Sequence, residues 1–298
     1  MSQATLRIQK MSAHSGTVPG EGTQREEIVC KLIDTTTCIG CRACEVACME
    51  WNDLPFGPTV FENNYQTMPD TRWNYWNLIL FNEHEREDGS LQWLMRKHQC
   101  MHCAEPGCLE ACPADGAIVQ YTNGVVDFQQ DHCIGCGYCI SGCPFNIPKL
   151  NSVTKRVYKC TLCTDRVSEG LEPACIKSCP TGCLHFGTKD DMRDLAQARA
   201  TQLKDHYGFA NAGVYDPPGV GGTGVIYVLH DATKPELYGG LPSNPTIPLA
   251  VKLWKHPLKW LGNLALVGGL VGLFIHYLRF GPKSREGEDL VPHEGAQP

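Results

Sequence analysis

The sequence predicts an α+β fold: duplicated small cysteine-bearing units with hairpin insertions, followed by one C-terminal helix long enough to cross a bilayer. Three observations predict it. The 298 residues include 18 cysteines, and most of them fall into four short runs. Turn signals such as Asn123-Gly124 join β-rich segments between those runs. Trp260 to Leu278 contains no Asp, Glu, Lys or Arg, and as a helix it spans roughly 28 Å, near the thickness of a bilayer core.

Composition narrows the chemistry. The length allows one large domain or two ordinary ones. A net charge of −6 gives no basic footprint, so nucleic acid is not an expected partner. The cysteines are grouped by two- and three-residue gaps, which favours metal over disulfides. Four-cysteine zinc sites usually pair two C-x2-C knuckles across a longer spacer. Here three of the runs end with a proline directly after the last cysteine.

Residues 1–29 read as a polar arm, disordered or draped on the body. No apolar h-region or twin arginine stands in it, so no secretion signal is expected in this chain. Cys30 stands alone. The first run, CIGCRACEVAC, carries Cys38, Cys41, Cys44 and Cys48, with Met49 where a proline would follow. An insertion from Trp51 to Gln99 comes next, in which Trp76–Phe81 and Leu91–Arg96 read as a hairpin. Trp73, Trp76 and Trp93 read as aromatic cover over a metal centre or a subunit contact, rather than as electron relays.

The second run is Cys100, Cys103, Cys108 and Cys112, then Pro113. Ala117–Tyr121 and Val125–Phe128 follow as a hairpin, with a type I′ turn expected across Asn123-Gly124. The third run, DHCIGCGYCISGCP, places Cys133, Cys136, Cys139 and Cys143 at C-x2-C-x2-C-x3-C with Pro144 after them. This is the ferredoxin run for a [4Fe–4S] cluster, in which the fourth cysteine ligates a neighbouring cluster. The fourth run is Cys160, Cys163, Cys175 and Cys179, then Pro180. CPADGAI and CPTGCLH look like one element repeated, so the fold is expected to be built from duplicated ferredoxin-like units.

Thr188 caps a helix with Asp191 at its third position, and Met192, Leu195, Ala196 and Leu203 give that helix its apolar side. Gly219–Gly224 lacks the lysine and hydroxyl of a phosphate loop and precedes the strand Val225–Leu229, so it reads as a turn. The expected organisation is then a four-cluster region at 30–188, with an inner unit at about 97–150 and an outer unit from 30–50 plus 155–188. A helix and strand extension occupies 189–256 and packs on it; a membrane helix at 257–280 and a polar tail at 281–298 complete the chain. Trp254, Trp260 and Tyr277 supply interfacial aromatics. Gly268 and Gly272 stand at the spacing that suits packing against another membrane helix. Lys252, Lys255 and Lys259 before the span are balanced by Arg279, Lys283 and Arg285 after it, so charge leaves the orientation open. His276 lies near the far end of the span, as a packing or headgroup-facing residue or as one that approaches a partner's haem or quinone.

The second and third runs are joined by a hairpin, as in a two-cluster ferredoxin, and are expected to exchange their last ligands. Cys100, Cys103 and Cys108 then take Cys143, while Cys133, Cys136 and Cys139 take Cys112. The outer runs pair around this unit: Cys38, Cys41 and Cys44 with Cys179, and Cys160, Cys163 and Cys175 with Cys48. The rival pairing is sequential, first run with second and third with fourth. Arg42, Lys159 and Arg166 stand near the runs, where a cation either raises a cluster's potential or is a solvated or structural charge.

These runs, with YKCTLCTDRVSEGLEPACIKSCPTG, GVYDPPGVGGTG and the late single span, resemble the four-cluster subunits that partner molybdopterin oxidoreductases. Closer still is the resemblance to the iron–sulfur beta subunits of respiratory formate dehydrogenases, over about Leu32 to Phe280. The resemblance implies four [4Fe–4S] clusters on sixteen cysteines, with Cys30 and Cys183 outside the ligand set; in nitrate reductase relatives one ligand is Trp. It implies no catalytic site in this chain. Electrons would pass from a formate-oxidising alpha subunit, with molybdenum or tungsten on a bis-pterin, to a b-haem membrane gamma subunit and a quinone. It also implies the bacterial inner membrane, a body on the periplasmic face exported with a signal-bearing partner, and scope for a higher-order oligomer of the heterotrimer. Two other readings compete: a membrane-anchored ferredoxin-like subunit of another respiratory enzyme, such as a hydrogenase, and a structural zinc-binding module.

Overall fold

The computed structural model describes residues 7–13, 27–61, 65–66, 68–86 and 88–281. Most of the arm at 1–29, and the tail from 282 with Lys283 and Arg285, lie outside the described residues. The chain divides into a body ending at Lys252 and a unit beginning at Leu253.

In chain order the body contains β1 (Ile8–Met11), β2 (Val29–Asp34), α1 (Ala43–Trp51), β3 (Leu78–Glu85), β4 (Leu91–His98) and α2 (Gly107–Ala111). Then come β5 (Ile118–Tyr121), β6 (Val126–Phe128), α3 (Tyr138–Ser141), β7 (Lys149–Asn151), β8 (Arg156–Tyr158), α4 (Thr164–Ser168) and α5 (Ala174–Lys177). β9 (Leu184–Thr188), α6 (Lys189–Tyr207), β10 (Gly213–Tyr215) and β11 (Val225–Leu229) follow.

The largest sheet has the order β10-β11-β2-β9. β2 runs parallel to β11, with Val225 beside Lys31 and Tyr227 beside Ile33, and antiparallel to β9. Side chains alternate along a strand, and β2 uses both faces. Cys30 and Leu32 pack with Met192, Ala196, Leu203, Ile226 and Val228 under α6. Ile33 joins Val225, Tyr227 and Leu229 in the main core, which also holds Cys44, Cys100, Cys103, Cys160 and Cys175. The sheet therefore has a helix on one side and the cysteine runs on the other.

α6 begins where expected: the Asp191 N–H donates to Thr188 Oγ1 at 3.2 Å. It ends at Gly208, whose φ of 73° gives the left-handed cap. Its buried stripe is Met192, Ala196, Ala200 and Leu203. Leu195, expected on that face, is exposed, because residues four apart stack on one face and Leu195 falls off the row that Ala200 continues.

The β3–β4 hairpin runs in register from Leu78 opposite His98 to Glu85 opposite Leu91, longer than the sequence indicates. Trp76 packs on the main core and donates Nε1 to the Trp73 carbonyl at 2.8 Å. Trp93 is half-exposed, its ring 5.2 Å from that of Tyr65. The β5–β6 turn is not type I′. The Gly124 N–H donates to the Tyr121 carbonyl at 2.9 Å, and Gly124 has φ +87°, while Asn123 is not in the left-handed region. That is the three-residue loop with a glycine bulge. Asn123 is held by long-range work: its carbonyl accepts the Val29 N–H at 3.0 Å.

The described part of the arm, β1, lies on the body, the draped one of the two expected forms. It pairs antiparallel with β5, making a three-stranded sheet β1-β5-β6. Ser12 is fully buried; its hydroxyl donates to the Ala114 carbonyl at 2.6 Å and accepts the Ile118 N–H at 3.0 Å. Gly219–Gly224 is a turn, as read: a 3-10 turn at Pro218–Val220 leads into β11, and Asp216 Oδ1 accepts the Thr223 N–H at 2.8 Å.

The second unit contains a π-helical turn at Trp254–Leu258, with Pro257 inside it, and the helix α8 at Lys259–Phe280 when the short helix α7 (Leu249–Leu253) before them is counted. A widened turn accommodates a proline that lacks the N–H a tight α-helix needs. Trp260–Phe280 has a mean hydropathy of 1.7 and buries nothing, so its length and composition suit a bilayer. A Cβ at Gly268 or Gly272 would meet open space. The His276 ring lies 5.1 Å from that of Phe280.

Candidate metal centres

No disulfide joins any of the 18 cysteines. Four short helices position eight of them in pairs. α1 holds Cys44 and Cys48, and α5 holds Cys175 with Cys179 just past its end; α2 holds Cys108 with Cys112 just past its end, and α3 holds Cys139 before Cys143. α1 packs on α5, and α2 on α3. First and fourth runs thus meet, as do second and third. The α2–α3 crossing needs glycine: a Cβ on Gly107 would sit 2.4 Å from the Gly142 carbonyl oxygen, and one on Gly142 would sit 2.6 Å from that of Gly107.

Three cavities are walled by four of the expected cysteines each. One is lined by Cys38, Cys41, Cys44 and Cys179. A second is lined by Cys100, Cys103, Cys108 and Cys143, and a third by Cys112, Cys133, Cys136 and Cys139. Cys48, Cys160, Cys163 and Cys175 form a fourth group: burial pushes the Cys48 thiol up, and its neighbours Cys160, Cys175 and Cys163 push it further. Cys139 shows the same pattern, raised to about 12 by burial and then by Cys112, Cys133 and Cys136.

The donor sets suit a cluster. Each group offers four soft thiols, three of the groups around an apolar cavity, and thiolates are what an iron–sulfur cluster requires. Among the described residues no three His, Cys, Asp or Glu side chains converge on one point as a single ion would require. Sulfurs spread around a larger object, as four corners of a cubane, fit better than the tight tetrahedron of zinc.

Cys30 lies on the α6 side of the sheet, fully buried, where desolvation raises its thiol to about 11. Cys183 is placed differently from what its exclusion from the expected ligands suggests. It lines the first cavity, and its Sγ is 3.5 Å from that of Cys179. Hydrogen bonding with Cys183 pulls the Cys38 thiol down. Nothing in a run-spacing argument marks Cys183, since it follows the run's closing proline.

Of the three cations singled out by position, Arg42 lies over the Phe81 ring at 5.3 Å and Arg166 over that of Trp51 at 4.2 Å, whereas Lys159 is buried. Two further buried lysines, Lys31 and Lys97, escaped the sequence reading. Lys31 Nζ donates to Cys175 Sγ at 3.1 Å, and Lys97 lines the first cavity.

Comparison with known proteins agrees with this geometry. Two family profiles described as "4Fe-4S dicluster domain" match residues 37–117 and 91–189. A profile described as "Formate dehydrogenase N, transmembrane" matches residues 247–289, over the apolar helix, which is a single-pass membrane anchor. The chain is 52% identical to the iron–sulfur subunit of nitrate-inducible formate dehydrogenase from Escherichia coli, over 98% of this chain and 99% of that protein. It is 52% identical to the formate dehydrogenase-O iron–sulfur subunit of the same organism, over 99% and 98%. It is 53% identical to the formate dehydrogenase iron–sulfur subunit of Haemophilus influenzae, over 97% and 93%.

Proposed function

The chain belongs to the iron–sulfur subunits of formate dehydrogenase, holding four [4Fe–4S] clusters and no catalytic site of its own, and we propose that it conducts electrons along four sites in a fixed order. Site A is Cys38, Cys41, Cys44 and Cys179. Site B is Cys48, Cys160, Cys163 and Cys175. Site C is Cys100, Cys103, Cys108 and Cys143, and site D is Cys112, Cys133, Cys136 and Cys139. When bound, the clusters supply one-electron redox chemistry.

The observation that carries the order is the sharing of helices. α1 carries a ligand of A and, one turn on, a ligand of B; α2 and its end do the same for C and D. One helical turn is about 5.4 Å, which keeps neighbouring sites close. Cys160 and Cys100 are near enough for their charges to interact, which links B to C. The order is therefore A, B, C, D. Only Cys41 and Cys136 among the cysteines are exposed, and they belong to the two end sites. All four cysteines of B, and Cys100, Cys103 and Cys108 of C, are buried, which keeps water from the middle of the path, while the ends face outward.

We take the donor at one end to be a formate-oxidising pterin subunit, and the acceptor at the other to be a b-haem membrane subunit that reduces quinone. α8 suits docking on the latter, since Gly268 and Gly272 leave one stretch of the helix open to close approach. The body would face the periplasm, carried there with a signal-bearing partner. Low-temperature EPR of the membrane complex tests the path: formate should reduce all four clusters, and about sixteen irons should be present per chain. Clusters that formate leaves oxidised would overturn the proposed path. Protease access to the body in spheroplasts tests the orientation; a protected body would reverse it.

A further inference from the structure

We infer that Lys97, Lys31 and Lys159 are the fixed counter-charges of sites A, B and C respectively, holding these three clusters at higher potential than the protein would otherwise give them, while site D has no buried lysine. The inference rests on the ligand sets proposed above.

The first observation is burial. Lys31 is 0% exposed, Lys97 2% and Lys159 3%, so none of the three ammonium groups reaches water along its own stem, as lysines on apolar surfaces usually do. An ammonium buried without a counter-charge is among the costliest arrangements in a protein interior. Among the described residues, none of the three joins an ion pair. Glu45 and Asp127 are the carboxylates whose charge reaches Lys97 and Lys159, but both stand beyond ion-pair distance. Glu45 accepts the Ile79 N–H at 2.6 Å, and Asp127 accepts the Phe128 N–H at 2.8 Å.

The second observation is what the ammonium groups touch. Lys31 and Lys97 share one neutral acceptor, Gln99 Oε1, at 3.2 and 2.6 Å. Two cations on one amide oxygen repel each other unless negative charge lies beyond them. Beyond Lys31 is Cys175 Sγ of site B, at 3.1 Å; beyond Lys97 is the cavity of site A, which it lines. Lys159 donates to the carbonyls of Val126 and Cys160 at 2.5 and 2.9 Å and lines the cavity of site C. The site D cavity has no charged residue in its wall; the cation that reaches one of its ligands, Arg156, is only half-buried and donates to the Cys133 carbonyl.

The third observation is placement by the fold. Lys31 lies mid-strand in β2, between Cys30 and Leu32, which face α6. Strand alternation turns Lys31 to the side of the cysteine runs. A cluster with four thiolates is an anion, and reduction adds to its charge. A cation in a medium of low dielectric therefore stabilises the reduced form more than the oxidised one. The lysines solve two problems together: each cation has a counter-anion, and each of three clusters is made easier to reduce.

The test is an EPR redox titration of the intact membrane complex carrying Lys31→Met, Lys97→Met or Lys159→Met singly. At least a tenfold shift of the adjoining cluster toward the oxidised form is expected, or 59 mV for a one-electron couple. Site D should keep its wild-type potential in all three variants, and iron content should be unchanged. Where a Met variant loses iron, Lys→Gln, neutral but polar at its tip, is titrated beside it. Loss of the adjoining cluster alone in both also supports the inference, because that cluster needs the charge to be held. Unchanged potentials with full iron would overturn it. Loss of all four clusters in both neutral variants would overturn it as well, assigning the lysine to packing. Lys97 and Lys159 also reach site B through Cys48 and Cys160, so a smaller shift there is expected with theirs; a shift confined to site D would refute the ligand sets and leave the charge effect standing.

Discussion

The loops of sites A and D and those of sites B and C share one backbone and differ in what surrounds it. The third residue of each opening C-x2-C has positive φ: Gly40 at 66°, His102 at 46°, Gly135 at 68° and Leu162 at 57°. In the CIGC loops of A and D, the preceding isoleucines, Ile39 and Ile134, are 60% and 65% exposed, and the cysteines after the glycines are exposed too. In the CMHC and CTLC loops of C and B, His102 and Leu162 are buried, and so are Cys103 and Cys163. A side chain in the left-handed region costs about 1–2 kcal/mol, and burial of Leu162 offsets that. Glycine appears where the loop meets the surface, and a filled side chain where it meets the core. The comparison teaches that one metal-binding loop serves both as an interior junction and as an outlet.

The largest effect expected separates interior from end ligands. Cys103→Ser should strip more than its own cluster, because site C is walled by the main core. Cys41→Ser should alter site A alone, and iron per chain with EPR would show it. Equal iron loss in the two would break the comparison. Cys112→Ser should remove the EPR signal that Cys136→Ser removes and leave that of site C; loss of the site C signal with the site D signal kept would make the exchange of ligands between runs wrong.

The two surface glycines should then differ from each other. A Cβ on Gly135 would lie 2.2 Å from the Lys155 carbonyl oxygen, whereas one on Gly40 would meet the Phe81 ring edge at 2.5 Å. Backbone cannot yield and a ring can. Gly135→Ala should cost about 2–4 kcal/mol, from left-handed strain plus overpacking, and Gly40→Ala should cost less. Thermal bleaching of the clusters would order them, and the reverse order would sink the argument.

A smaller effect on the body follows from removing everything after Lys252. The cysteines all lie upstream in one unit, so iron should be retained while the chain leaves the membrane fraction. The smallest effects belong to Cys30→Ser and Cys183→Ser, each expected to retain about sixteen irons per chain. They are still worth separating. Cys30 faces α6, but Cys183 shares a wall with Cys38 and Cys179, and loss of four irons in the Cys183 variant would add it to site A.

Much of the site was readable because cluster chemistry restricts cysteine spacing. The runs, the two hairpins and the Thr188 cap are local features, written in residues a few positions apart. What was not readable is long-range. Cys183 reaches site A through the return of β9, not through its place in a run. Lys31 is the one signal that could have been caught: a lysine inside the apolar strand Val29–Asp34 has nowhere to take its charge except toward an anion. The Asn123 turn differs from the expected one in the same way, since the Val29 N–H holds Asn123 from outside the local pattern, whereas the Leu195 misplacement lies within α6 itself.

The parallel pairing of β2 with β11 also has a consequence in time. Val29–Asp34 is made before any of the sixteen run cysteines, and Val225–Leu229 after all of them. β9, the other neighbour of β2, likewise begins after Cys179. Strand β2 therefore waits through synthesis of every ligand before either flank exists, and contacts so distant in sequence close slowly. The sheet is a latch that the order of translation holds open until the last cysteine of the runs has been made.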